Sequence, residues 1–413
     1  MKFFASLAIL SLFATVRAQT IAPANNDAIQ RELTTIATAL KVPALGGAIV
    51  HSDGQISTFV TGVRESGSDV AATVTDQWHL GSCTKAMTAM LVALLVERGD
   101  LTWDRPLAFL LPNLGAPMDA DYARLTLVEL LAHRAGLPSM TGPDEDLRAA
   151  SELVGTEVEQ RSALCRRILS QKPPTPPRQA FVYSNAGFIV AGHIAEVATG
   201  KSFETLLREL LFVPLDMQSA GFGAPGTNNN LDQPRGHDAA GKPVQPRPNG
   251  DNVPLLGPAG TVHASLADWG KFLRLHLLGD AADVQVGAIT LHRETIARLH
   301  TAWDDAKNPY AYGFSMPHRD WARGLHTVLT HSGSNTMWFC VCWLDPSSGF
   351  GVLAVANSAG HDALEACDRV SGLLLNNWLA RRKLAEQAKP AEAMPAVTPA
   401  FPRAITPPAN GGK

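Results

Sequence analysis

Ser82-Cys83-Thr84-Lys85 is the stretch whose residue types and spacing point most directly to chemistry. It stands where Gly81 meets the apolar run Ala86 to Val96, so a helix is expected to begin there. Residues three apart share a helix face. The Lys85 amine is therefore expected within hydrogen-bonding reach of the Ser82 hydroxyl, which makes a nucleophile with its own base. Unpaired N–H groups of the first helical turn would stabilise the charge of the attack, the Ser82 N–H among them. An unperturbed lysine has a pKa of about 10.4, so neutrality near pH 7 requires a drop of about three units, or about 4 kcal/mol. Burial could supply it, and so could proton sharing with a tyrosine. Cys83 lies about a hundred degrees around the same helix and is expected to pack rather than react.

Such a tetrapeptide arises by chance in many proteins, and two further elements give this one its context. Tyr183-Ser184-Asn185 precedes an apolar helical run, Ala186 to Ala198, and His331-Ser332-Gly333 opens onto a C-terminal strand. With Leu130-Leu131-Ala132-His133-Arg134-Ala135-Gly136-Leu137, Gly257-Pro258-Ala259-Gly260 and Ala264-Ser265-Leu266-Ala267-Asp268, the sequence resembles the class C β-lactamase-like family of serine hydrolases. That family includes penicillin-binding carboxypeptidases, D-amino-acid peptidases and esterases, and the resemblance covers about residues 25 to 380.

The resemblance implies an α+β fold of β-lactamase/transpeptidase type and a set of roles. Ser82 would be the nucleophile, Lys85 and Tyr183 would share proton removal and return, and Asn185 would orient the substrate or Lys85. His331, Ser332 and Gly333 would line the substrate site, and the N–H groups of Ser82 and Ser334 would form the oxyanion hole. The substrate would be a small-molecule ester, β-lactam or D-amino-acid peptide, with no cofactor and no metal. A departure bears on specificity: β-lactamases carry Lys-Thr-Gly where this chain has His331-Ser332-Gly333. A fixed cation is thus replaced by a group expected to titrate near neutrality, which disfavours strong β-lactamase activity and shifts the expectation toward esters or D-peptides. The rival reading is a penicillin-binding sensor or peptide-binding protein that does not turn over.

The positioning elements are legible in part. Ile29, Leu33, Ile36 and Leu40 recur at helical spacing, predicting a helix from Asn25 to Leu40. Leu45 to His51 and Gln55 to Thr61 read as a hairpin about Ser52-Asp53-Gly54. Near the other end His326 to Thr330, Met337 to Leu344 and Phe350 to Ala356 read as strands, followed by a helix from Asp362 to Leu379. The expected architecture is an antiparallel sheet flanked by helices, built from about 25–80 and 305–380, with an inserted, mostly helical lobe at about 81–304 and the site in the cleft between them. The proline-rich stretch 389–413 is expected to stay disordered.

Other chemistries find little support. There is no GxSxG elbow, HExxH or paired CxxC knuckle. Gly200-Lys201-Ser202 lacks the earlier glycine of a phosphate loop, and Gly200 is expected to cap a helix. A net charge of −3 with 46% hydrophobic and 18% charged residues gives no basic field for nucleic acid. Five cysteines make no disulfide scaffold in a chain this long, and Cys340 and Cys342 are expected to pack as hydrophobes. No apolar run is long enough to serve as a transmembrane segment. Lys2, the apolar stretch Phe3 to Phe13 and Val16-Arg17-Ala18 read instead as a signal peptide over 1–18, predicting a secreted or periplasmic protein. Exported material is expected to begin near Gln19, which N-terminal sequencing checks; a cytosolic product retaining Met1 would refute it.

Overall fold

The computed structural model describes residues 26–387 apart from 143, 144, 249, 280, 304–306 and 325. The expected signal peptide, 1–18, and tail, 389–413, lie outside the described residues.

Helix α1, Asn26–Ala39, buries Ile29, Leu33, Ile36 and Ala37 along one stripe. Strands β1, Ala44–His51, and β2, Ile56–Gly62, form the predicted hairpin. The nucleophile segment begins with one 3₁₀ turn, Gly81–Cys83, and continues as α2, Thr84–Glu97. Because α2 is apolar on every face it must be enclosed, and every residue from Thr84 to Leu95 is buried. Among the helices that follow, α3 at Asn185–Thr199 and α4 at Leu266–Leu277 bear on the site. Gly200 closes α3 in the left-handed conformation, as the sequence suggests.

Later in the chain come β3 Tyr310–Ala311, β4 Phe314–Ser315, β5 Leu329–Ser334, β6 Phe339–Asp345 and β7 Phe350–Ala356, and α5 runs over His361–Gln387. They assemble with the hairpin into a seven-stranded antiparallel sheet, in the order β3-β4-β5-β6-β7-β1-β2. A three-stranded sheet beside it pairs Gln77–His79 and Gly221–Phe222 with Val262–Ser265.

One expectation needs correcting. The strand placed at His326 to Thr330 lies further on, at Leu329–Ser334, so His331-Ser332-Gly333 sits inside β5 rather than before a strand. Its polar residues concealed the strand: Ser332 and Ser334 point outward while His331 and Gly333 are buried, the alternation of a pleated strand. The stretch 81–304, expected as a mostly helical lobe, also supplies a helix that packs on the sheet. Its α4 packs on β1, β2 and β7, and Leu266 at the start of α4 lies on the face of β1 opposite Val370 and Leu374 of α5. Asn25–Asn376 is one compact unit, and the last turns of α5, from Asn377, fall outside it.

The nucleophile turn docks onto β5 through two glycines. Gly81 has φ +47°, and a Cβ there would lie 2.4 Å from the Ser334 nitrogen. A Cβ on Gly333 would lie 2.0 Å from the Leu80 carbonyl oxygen and 2.9 Å from the Ser82 nitrogen. Both approaches exclude any side chain. Gly333→Ala is therefore expected to cost about 2 kcal/mol or more through overpacking and to abolish labelling of Ser82 by active-site reagents. Urea unfolding and intact-mass labelling check this, and a variant of normal stability and reactivity would show the contact to be slack.

Candidate active site

Ser82 is partly exposed within a run of buried residues, whereas the Lys85 side chain is wholly enclosed. The Lys85 amine nitrogen is 3.1 Å from Ser82 Oγ, 2.7 Å from Asn185 Oδ1 and 2.8 Å from the Ala259 carbonyl oxygen. It also stands 4.8 Å above the centre of the Tyr183 ring. Burial pulls the Lys85 pKa down to about 7, against a smaller opposing effect of the neighbouring Cys83. A neutral amine has two hydrogens, and the Asn185 and Ala259 oxygens accept both. Its lone pair is then left for the Ser82 hydroxyl.

Local structure holds these groups in place. Ser184 caps α3 by accepting the Gly187 N–H and donates its own hydroxyl to the Pro138 carbonyl at 2.6 Å. Asn185, the first residue of α3, donates its amide to the Met140 carbonyl at 2.7 Å, which turns its oxygen toward Lys85. Of the two roles expected of Asn185, the geometry supplies the one toward Lys85. The Tyr183 hydroxyl is coupled to Ser82, and burial pushes its pKa above the ordinary phenol value, so it is a protonated donor at neutral pH. Thr84 and Thr88 anchor α2 below. Thr84 Oγ1 accepts the Val262 N–H at 3.1 Å, and Thr88 donates to the Pro258 carbonyl at 2.6 Å, fixing the turn that presents Ala259.

The structure brings Ser82, Lys85, Tyr183 and Asn185 together, with the Ser82 and Ser334 amides on either side of the Gly81–Gly333 contact. His331 and Ser332 line a cleft of ≈ 480 Å³ that includes Tyr183, Phe181, Tyr310, Phe339, Val341 and Trp343. Gly333, expected to line the substrate site, packs against the backbone from Leu80 to Cys83.

The expectation that His331 titrates near neutrality is overturned. Burial, with the Lys85 charge second, takes its pKa down to about 3. Its Nδ1 lies 2.6 Å from the Ser332 carbonyl oxygen and so carries the ring proton, leaving Nε2 as an acceptor. A neutral acceptor does not attract a carboxylate.

Sequence reasoning missed His133. Its ring centre lies 4.4 Å from that of Tyr183 and 4.6 Å from that of Tyr310, and its Nδ1 accepts the Ser184 N–H at 3.1 Å. Burial holds it neutral, its pKa well below the usual imidazole value. It positions the tyrosine segment, and the only signal for it was the stretch Leu130 to Leu137. Cys83 does not compete as a nucleophile. All five cysteines are buried and free, and burial raises the Cys83 pKa well above the ordinary thiol value.

Comparison with known proteins agrees with this arrangement. The Beta-lactamase family model matches residues 29–374, and the chain belongs to that family. It is 28% identical over 340 residues to Penicillin-binding protein 4 of Amycolatopsis lactamdurans, covering 79% of this chain and 84% of that one. To Unguisins hydrolase ungD of Aspergillus violaceofuscus it is 24% identical over 363 residues, spanning 81% of this chain but only 62% of the fungal protein. Among solved structures it resembles the octameric penicillin-binding protein homologue from Pyrococcus abyssi, with a TM-score of 0.67 at 23% identity over 89% of this chain and 82% of that one. It also resembles a class C β-lactamase from Rhodobacter sphaeroides, with a TM-score of 0.65 at 22% identity over 85% and 99%. The fold is thus β-lactamase/transpeptidase-like, and the chain is a serine hydrolase of β-lactamase-family type.

With His331 neutral, KM is expected to stay level between about pH 5.5 and 8.5 for carboxylate-bearing and neutral esters alike. A KM that climbs for the carboxylate-bearing esters alone as pH passes about 6.5, and stays level in His331→Gln, would show an imidazolium at work.

Proposed function

We propose that the protein is an exported hydrolase that cleaves esters or amides through a Ser82 acyl-enzyme and favours neutral, apolar substituents over carboxylate-bearing β-lactams. The observation that carries this reading is the enclosed Lys85 amine, with a pKa of about 7, 3.1 Å from the Ser82 hydroxyl. A base poised near the working pH is what general-base catalysis requires. Tyr183, held protonated, is better suited to donate.

Lys85 takes the Ser82 proton as Oγ bonds to the substrate carbonyl carbon, and the carbonyl electron pair moves onto oxygen beside the Ser82 and Ser334 amides. As the tetrahedral adduct collapses, the bond to the leaving group breaks. The leaving group takes the Tyr183 proton, and Lys85 returns its own to the phenol. Water then repeats the sequence on the acyl-enzyme and frees Ser82.

The substrate preference rests on the cleft. Among the described residues its lining includes neither lysine nor arginine, its one carboxylate is Asp368, and its walls are largely aromatic and aliphatic. The match to a protein named as a hydrolase supports turnover over the sensor reading, and a structural neighbour solved with D-Leu supports D-configured acyl groups among the amides.

Fluorophosphonate is expected to add once, on the peptide containing Ser82, and not to the Ser82→Ala variant. The labelling rate should rise with pH through about 7, because the protonated amine that dominates below that pH cannot accept the serine proton. Lys85→Ala and Tyr183→Phe should each lower kcat far more than they raise KM. An adduct that survives Ser82→Ala, or a labelling rate flat across this range, would overturn the mechanism. Turnover of p-nitrophenyl esters, nitrocefin and D-alanyl peptides separates a hydrolase from a sensor, which would turn over none of them.

A further inference from the structure

Asp251 touches neither Ser82 nor Lys85, yet one of its carboxylate oxygens contacts the supports of both. Asp251 Oδ1 lies 2.6 Å from Nε2 of His79, whose side chain is wholly buried. The other ring nitrogen of His79, Nδ1, accepts the Gly81 N–H at 3.1 Å, so Nε2 is the ring nitrogen that carries a proton toward the carboxylate. The Nε2 contact is close but lacks the geometry of a full hydrogen bond. Gly81 immediately precedes the nucleophile.

The same oxygen accepts the side-chain amide of Asn335 at 3.2 Å. Asn335 is buried and follows Ser334, and its own oxygen accepts the N–H groups of Met337 and Trp338, each at 3.1 Å. It thereby shapes the turn between β5 and β6. Asp251 Oδ1 also accepts the Asn252 N–H at 2.7 Å, and the Asn252 side chain donates to the Gly260 carbonyl at 2.9 Å. Gly260 follows Ala259, whose carbonyl holds Lys85. One oxygen is thus tied to the neighbours of Ser82, of Ser334 and of the lysine's acceptor, on three segments that are remote in sequence.

We infer that Asp251 is the positioning residue of the acyl-transfer site, setting the spacing of the Ser82 and Ser334 amides and the placement of Lys85 through His79, Asn335 and Asn252. The inference rests on the proposed role of Ser82. An oxyanion hole must fit the tetrahedral adduct rather than the planar carbonyl, so a small change in the spacing of its two amides weakens transition-state binding and leaves ground-state binding nearly intact.

The test uses the full chain with Asp251→Ala and Asp251→Asn, the latter keeping an acceptor oxygen for Asn252 and Asn335 while removing the charge. Read-outs are kcat and KM on a p-nitrophenyl ester, the rate of Ser82 phosphonylation, the inhibition constant of phenylboronic acid and the melting temperature. In Asp251→Ala, kcat and the phosphonylation rate should fall about 30-fold or more and boronate binding should weaken in parallel, with KM within about threefold. In Asp251→Asn the losses should be about fivefold or more in a chain that melts normally. Should the alanine variant fail to fold, the asparagine variant decides by the same criteria. Rates within about twofold of the unsubstituted chain, a raised KM with unchanged kcat, or a lower kcat with unchanged boronate binding would each overturn the role of Asp251. If the unsubstituted chain takes no label at Ser82, the proposed function fails and this inference with it. Normal labelling that is indifferent to Asp251 overturns the inference alone.

Discussion

The burial of one amine constrains the rest of the site. Enclosing Lys85 lowers its pKa from 10.5 to about 7, a differential of about 5 kcal/mol against the charged form. The native state binds the lysine proton less readily than the unfolded chain. This group's contribution to stability therefore rises as pH climbs from about 7 toward 10.5 and is least favourable below about 7. The fold meets that demand by surrounding Lys85 with apolar residues of α2 and α3 while supplying it with the Asn185 and Ala259 oxygens. Without those acceptors a buried polar nitrogen would stand unsatisfied. With them the amine has a single free direction, toward Ser82.

The same dry surroundings act on every ionisable group nearby. His133 and His331 are both held neutral, mainly by desolvation and then by the Lys85 charge, and Tyr183 is held as a phenol. Proton transfer between Lys85, Tyr183 and Ser82 thus takes place among groups that need no permanent charge. The amides of Ser82 and Ser334 are the preorganised dipoles at the reacting carbonyl. A lysine at position 331 would add a second cation to a site whose base functions only when uncharged. The imidazole, held neutral by burial, adds no such charge.

Features that depend on local geometry were legible in the sequence. The i, i+3 relation of Ser82 and Lys85, the glycine cap of α3 and the hairpin of β1 and β2 follow from helix periodicity and turn chemistry. β7 was predicted residue for residue because its apolar run ends in strong turn residues. Features made by tertiary packing were not legible. β5 was misplaced because its outward serines and packed glycine look like a loop until the nucleophile turn is set against them. The neutrality of His331, the ring of His133 behind Tyr183 and the carbonyl of Ala259 beneath Lys85 arise from contacts between distant segments, which spacing does not encode.

The choice of nucleophile shows how narrowly packing decides chemistry. Cys83 carries the more reactive atom and stands next to Ser82, yet one step around the turn carries its thiol inward. There it donates to the His331 carbonyl at 3.5 Å and lies 3.6 Å from the Cys340 sulfur, while Cys342 donates to that same carbonyl at 3.7 Å. These thiols fill the space between α2 and β6 as small hydrophobes; burial raises the Cys83 and Cys340 pKa values, and the hydrogen bond with Cys83, followed by burial, raises that of Cys342, so none forms a thiolate near neutral pH. Ser82, turned outward, receives the base. The sulfurs behind it pack the nucleophile turn against the strands that carry the second oxyanion amide, so the residues that could have competed for the reaction hold the chosen one in position.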